Sequence, residues 1–265
     1  MTRTTGAHRE RTARQFRGLM FSSLLRADFI VLLRSGQTLI LNVAVPILYL
    51  VITNLHSASR RGGSIYGSPE FAIGLALTVG LMFSALMGYS VAIARDRDMG
   101  VFQRLRVTPA PTWAIMASRF VVQLAAGLAM AVIVVVVGGV LHSVVYDPVE
   151  YLLFALVSVL GGAMFLAIGQ AIVGLVSSFA AVNAISRGIC IALLLLGLLG
   201  SSGILGDTVR SVADWTPVGA LINLSVGALN PSAWDWTATS GLIATLGYAI
   251  VGASIGIRWF RWESH

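Results

Sequence analysis

Arg95-Asp96-Arg97-Asp98-Met99-Gly100-Val101-Phe102-Gln103-Arg104-Leu105-Arg106-Val107-Thr108-Pro109-Ala110-Pro111 is the densest charged stretch of the chain after its N-terminal arm, and it separates two long apolar runs. Asp96 and Asp98 come first and Arg104 and Arg106 last, the order that complements a helix dipole. Pro109 and Pro111 stop the helix. Val101, Phe102 and Leu105 fall on one side of it, at spacings of three and four. The spacing predicts a short amphipathic helix held against the ends of two membrane spans and placed to touch something outside the bilayer.

The surrounding composition is that of a membrane protein. Of 265 residues, 57% are hydrophobic and 11% charged, with mean hydropathy +0.85, whereas soluble domains carry about 25% charge. The fold class expected is all-α and polytopic. Net charge is +7 and all 18 basic residues are arginines. Without lysine there is no Walker lysine, Schiff-base lysine or Ser-Lys pair. Cys190 stands alone in an apolar run, which excludes a disulfide framework and a cysteine zinc site. The arginines sit beside spans, so topology accounts for the basic balance better than nucleic acid does.

In chain order, residues 1–35 form a basic arm and an interfacial helix. Phe16, Leu19, Met20, Ser23, Leu24 and Ala27 make its apolar stripe. Arg26, Asp28 and Arg34 break the pattern of a cleaved signal. Residues 36–258 hold six apolar runs near or above the roughly 17–25 residues that cross a bilayer: Leu39–Leu55, Phe71–Ala94, Trp113–Leu141, Tyr151–Ser177, Ala184–Leu205 and Trp236–Ile257. Residues 259–265 are a short tail. With the N-terminus cytoplasmic, that side collects the arm, Arg95, Arg97, Arg104, Arg106, Arg187, Arg258 and Arg261. The other side keeps Arg60, Arg61 and Arg210 among most of the acids. The positive-inside rule therefore places both termini and the 95–111 loop in the cytoplasm. Pro217 to Leu229 is apolar but too short to cross. It is expected as a re-entrant or external helix before the last span; a seventh span there would put Arg258 and Arg261 outside.

No catalytic constellation emerges. His8, His56, His142 and His265 have no metal-ligand spacing. Asp96 and Asp98 alternate with arginines, which favours ion pairing over acid–base work. No loop is large enough for a nucleotide-binding domain, so any ATP used is bound by another chain. Arg119 and Arg187, near the inner ends of their spans, are expected to anchor at the interface. Asn42, Gln123, Gln170 and Asn183 are expected either to face a cavity or to bond between helices. Gly252 and Gly256 match the small-residue contact pattern, read as contact inside one chain.

The basic interfacial helix, the six spans and the acidic–Gly–hydrophobic–Arg-Leu–Thr-Pro loop together resemble a type-2 ABC exporter permease. The wording of the loop is close to the daunorubicin-resistance type of bacterial drug or polyketide exporter. The resemblance implies two copies of a cytoplasmic ABC ATPase carrying ATP and Mg, no cofactor on this chain, and a second permease copy, identical or not. It implies membrane lipids as further partners and the bacterial plasma membrane as location. Asp96, Asp98, Gly100, Val101, Phe102, Arg104, Leu105, Thr108 and Pro109 would form the coupling helix, and Phe16, Leu19, Met20 and Leu24 the connecting helix beside it. Asn42, Phe83, Met87 and Asn183 would lie on the substrate path. Where many relatives begin the motif with Glu, this chain has Asp96. The cargo implied is a hydrophobic or amphipathic compound, with a polysaccharide or lipid-linked glycan as the alternative. From other classes, an ion-coupled carrier would want buried acids and repeated halves. A non-transporting scaffold would make the charged loop a solvated turn.

Overall fold

The computed structural model describes residues 22–31, 36–57, 68–101, 112–201 and 206–259. Within them every regular element is helical. We number these α1 (22–31), α2 (Gly36–Ser57), α3 (Pro69–Asp98), α4 (Thr112–His142), α5 (Pro148–Leu175), α6 (Phe179–Ser201), α7 (Asp207–Trp215), α8 (Pro217–Leu229) and α9 (Trp236–Trp259). Five of them, α3 to α6 and α9, are long and apolar enough to cross a membrane. The remaining predicted span is α2, whose apolar part is Val43–Leu55 and which contains Pro46.

α3 lies on the axis of the bundle. Every residue from Phe71 to Met82 is buried, because α2, α4, α5 and α8 pack around this segment. Ser68 caps it by accepting from the Phe71 amide at 3.2 Å, and Pro69 opens it. Between Met82 and Gly88 the helix widens into a π stretch before resuming as Tyr89–Asp98. Such stretches leave carbonyls off the regular ladder.

α5 starts at a capping box: the Asp147 amide donates to Glu150 at 2.7 Å, with Pro148 at the first position. α9 runs parallel to α5, with Gly252 against Ala167 and Gly256 against Gln170. The small-residue pattern is therefore a contact inside one chain, as expected. This parallel course brings Arg258 to the same end of the bundle as Arg97, Arg119 and Arg187.

The segment before α9 is deeper than a surface cap. α7 and α8 meet at an 81° bend. Pro217 cannot donate and biases Thr216 towards extended backbone (φ −68°, ψ 158°). The Thr216 hydroxyl accepts from the Gly219 amide at 3.2 Å and donates to the Ala213 carbonyl at 2.6 Å. α8 is buried along most of its length and packs against α3, α5 and α9. Of the two placements open to Pro217–Leu229, insertion into the bundle is the one observed.

α6 begins earlier than its apolar run suggests. Phe179 opens it, with the Val182 amide on the Ser178 carbonyl at 2.9 Å, so Asn183 lies inside the helix. An asparagine among alanines reads as a boundary in sequence, yet one polar residue does not stop a helix.

Asp235 caps α9, accepting from the Thr237 and Ala238 amides at 3.0 and 3.1 Å and from the Thr237 hydroxyl at 2.6 Å. The hydroxyl bond, aided by the amides, holds its carboxyl below the usual range. A depressed carboxyl contributes stability above its unfolded value and loses it as pH falls through the folded one. Asp235→Ala should therefore cost about 0.5–1 kcal/mol near neutrality, the low end for an exposed cap. Thermal unfolding of the two proteins should converge below the carboxylate range; a difference that persists there would refute the carboxylate's role.

Candidate functional site

The arginine-rich end of α3 is the point at which the polar side chains of this bundle converge. Helix α3 closes with the Met99 amide on the Arg95 carbonyl at 2.9 Å and the Gly100 amide on the Arg97 carbonyl at 3.1 Å. Gly100 adopts φ 68°, the left-handed turn that ends helices and that glycine enters without steric cost. Val101, half-buried, is helical again. The Asp-Met-Gly part of the motif is thus a helix stop that redirects the chain. Phe102, Arg104, Leu105, Thr108 and Pro109 lie outside the described residues.

Asp96 and Arg97 fasten this end to different neighbours. Asp96 pairs with Arg119 on α4 at 2.5 Å, both side chains mostly buried. Arg119 is therefore held by an acid within the protein, which sets it apart from an arginine reaching only for the interface. Arg97 is 4% exposed. Its guanidinium donates to the carbonyls of Val173, Val176 and Ser177 at 3.0, 2.6 and 2.7 Å. These belong to the last turn of α5 and the corner leading into α6, where helix carbonyls have lost their intrahelical partners and the dipole is negative. Arg95 and Asp98 are exposed.

The same end is tied further along its length. Tyr89 donates to Gln170 on α5 at 2.7 Å and meets Phe120 of α4 edge-on, with centroids 5.3 Å apart. Ser90 shares a 2.8 Å bond with Ser186 of α6. Gln123 of α4 donates to the Ser84 hydroxyl at 2.6 Å and to the Ser84 carbonyl, in the π stretch, at 3.1 Å. Gln123 and Gln170 thus bond between helices. Of this network, Asp96, Arg119, Gln123 and Gln170 were singled out in the sequence, but Asp96, with Asp98, lies in the last turn of α3 rather than at the start of a separate short helix. The Arg97, Tyr89 and Ser186 contacts carry no local sequence signal, because each partner is 76 or more positions away.

In the interfacial helix, α1 half-buries Leu24, Leu25 and Asp28 and exposes Ser23 and Ala27. The Ser118 hydroxyl of α4 donates to the Asp28 carboxylate. Phe16, Leu19 and Met20 lie outside the described residues. Phe83 and Met87 sit one turn apart in the π stretch, both half-buried, with α6 packed beside it; Asn183 on α6 is half-buried. Asn42 belongs to α2. An open surface hollow at the α7–α8 elbow is lined by Thr208, Ser211, Val212, Trp215, Thr216 and Tyr248, none of them predicted.

The family model of ABC-2 type transporters matches residues 20–230, which covers α1 through α8. The chain belongs to the ABC-2 type transporter family. A search of curated proteins returned no match. As an ABC-2 membrane domain it is a transporter permease subunit, multi-pass and integral to a membrane. Seen in that light, the permease concentrates its interhelical polar contacts at the end of α3 that leads into the 95–111 segment.

Proposed function

We propose that this permease is the membrane subunit of an ATP-driven exporter that moves hydrophobic or amphipathic, drug- or antibiotic-like compounds out across the bacterial plasma membrane. Two ATPase subunits, carrying ATP and Mg, dock on residues 95–111 from the cytoplasm, and a second permease copy completes the transporter. Both termini are cytoplasmic, a reading supported by Arg95, Arg97, Arg119, Arg187 and Arg258 sharing one end of the bundle. Asn42, Phe83, Met87 and Asn183 are the residues we assign to the cargo path.

The observation that carries this reading is the construction of the α3 end. A free loop would leave Asp96 and Arg97 to solvent, whereas here each is bonded to a separate helix. Force applied to the motif therefore enters the bundle rather than dissipating in a hinge. Energy is transferred only if the ATPase holds this segment differently in its two states. The test is co-purification of the detergent-solubilised permease with an ABC ATPase subunit from the same organism, co-expressed with it. Wild type should retain the ATPase and Leu105→Asp should lose it at equal permease yield. Retention by Leu105→Asp would remove the docking assignment.

A further inference from the structure

We propose that Arg97 is a positioning residue for transport, carrying movement of the 95–111 segment to the α5–α6 corner. This rests on the ATPase-coupled reading above and adds the route by which force leaves α3. An arginine that merely anchored a span would extend its charged head into water. The Arg97 side chain does the opposite, turning into the protein to take three backbone carbonyls while 4% exposed. Burying a guanidinium is costly unless its partners are well placed; here its two terminal nitrogens take the carbonyls of a helix end and the corner after it, while Nε has no partner among the described residues.

The geometry makes the contact a rigid link. Bonds of 2.6 to 3.0 Å cannot lengthen by much more than half an ångström and persist. If the end of α3 moves further, the corner must follow. Val176 and Ser177 lead directly into α6, and Ser186 of α6 is bonded to Ser90 of α3. The α3 end, the corner and the first turns of α6 thus form one block. Asp96, the preceding residue, holds α4 on another side. A planar guanidinium can hold several carbonyls at once, whereas the lysine ammonium is a point charge on a flexible stem.

The test uses the permease–ATPase complex with Cys190→Ser and a reporter, Ala180→Cys, at an exposed position of the first turn of α6. Maleimide labelling is timed without nucleotide and after trapping with ATP and vanadate. With Arg97 intact the two rates should differ at least about fivefold, the low end of ordinary coupling between sites. In Arg97→Gln the ATPase should still co-purify and trap, but the rates should agree within about twofold. Equal labelling in both states with Arg97 intact would overturn the proposal. So would Arg97→Gln that keeps the ratio, or raises both rates together as loss of a purely structural cap would. If Arg97→Gln does not accumulate, Arg97→Lys decides: a ratio at most about half the parent's supports the link, and an unchanged ratio overturns it. Failure of the parent protein to bind any ATPase would instead overturn the exporter reading, and the link with it.

Discussion

Gly252→Val should abolish accumulation of folded permease, while Gly247→Val, five positions earlier on the same helix, should be tolerated. A Cβ at Gly252 would lie 2.8 Å from the Ala167 carbonyl carbon and 3.0 Å from its oxygen and from the Ile168 nitrogen. These are backbone atoms of α5 and cannot swing aside. Nothing stands within 4 Å of the same atom built at Gly247. Overpacking costs about 1–3 kcal/mol where side chains can adjust, and more where only a helix shift relieves it. In a bilayer, helix association rests on close packing because lipid is as apolar as leucine. Separating α9 from α5 therefore has little to offset it. Size-exclusion profiles of solubilised protein would check this; a monodisperse peak at wild-type yield for Gly252→Val would mean that the helices do not approach as described.

Gly100→Pro should abolish export without preventing insertion. Proline fixes φ near −65° where Gly100 has 68°, and it removes the amide that donates to the Arg97 carbonyl. The left-handed turn is then lost and the following segment leaves α3 in a different direction. Its cost, about 3 kcal/mol, is confined to one turn at the edge of the bundle, so the spans should still assemble. Gly100→Asn is the informative companion, because asparagine enters the left-handed region several-fold more readily than most residues. ATP hydrolysis by the reconstituted complex should fall about tenfold or more for proline, a loss of some 1.4 kcal/mol or more, and largely survive for asparagine. Normal hydrolysis with Gly100→Pro would show that the direction of exit is irrelevant.

The spans, their order and the charge asymmetry of their ends were legible because each rests on composition over twenty or so residues. Boundaries were less so. Asn183 concealed the first turn of α6, and the apolar character of Pro217–Leu229 did not reveal whether three helices or a headgroup layer would cover it. Partnership was the least legible. Nothing around Asp28 announces Ser118, and nothing around Arg97 announces the end of α5, because both depend on how distant helices are rotated about their axes.

The position of α3 has a consequence for the route of the cargo. Among the described residues, the buried stretch of α3 from Phe71 to Met82 fills the middle of the bundle, where a bore would otherwise run. If a second permease copy completes the transporter, as proposed above, cargo would travel along the flank of α3 and its neighbours, with the other wall supplied by that copy. On that reading, opening and closing would be two bodies parting, and contacts such as those of Asp96 and Arg97 would set how far a push at one end separates them at the other.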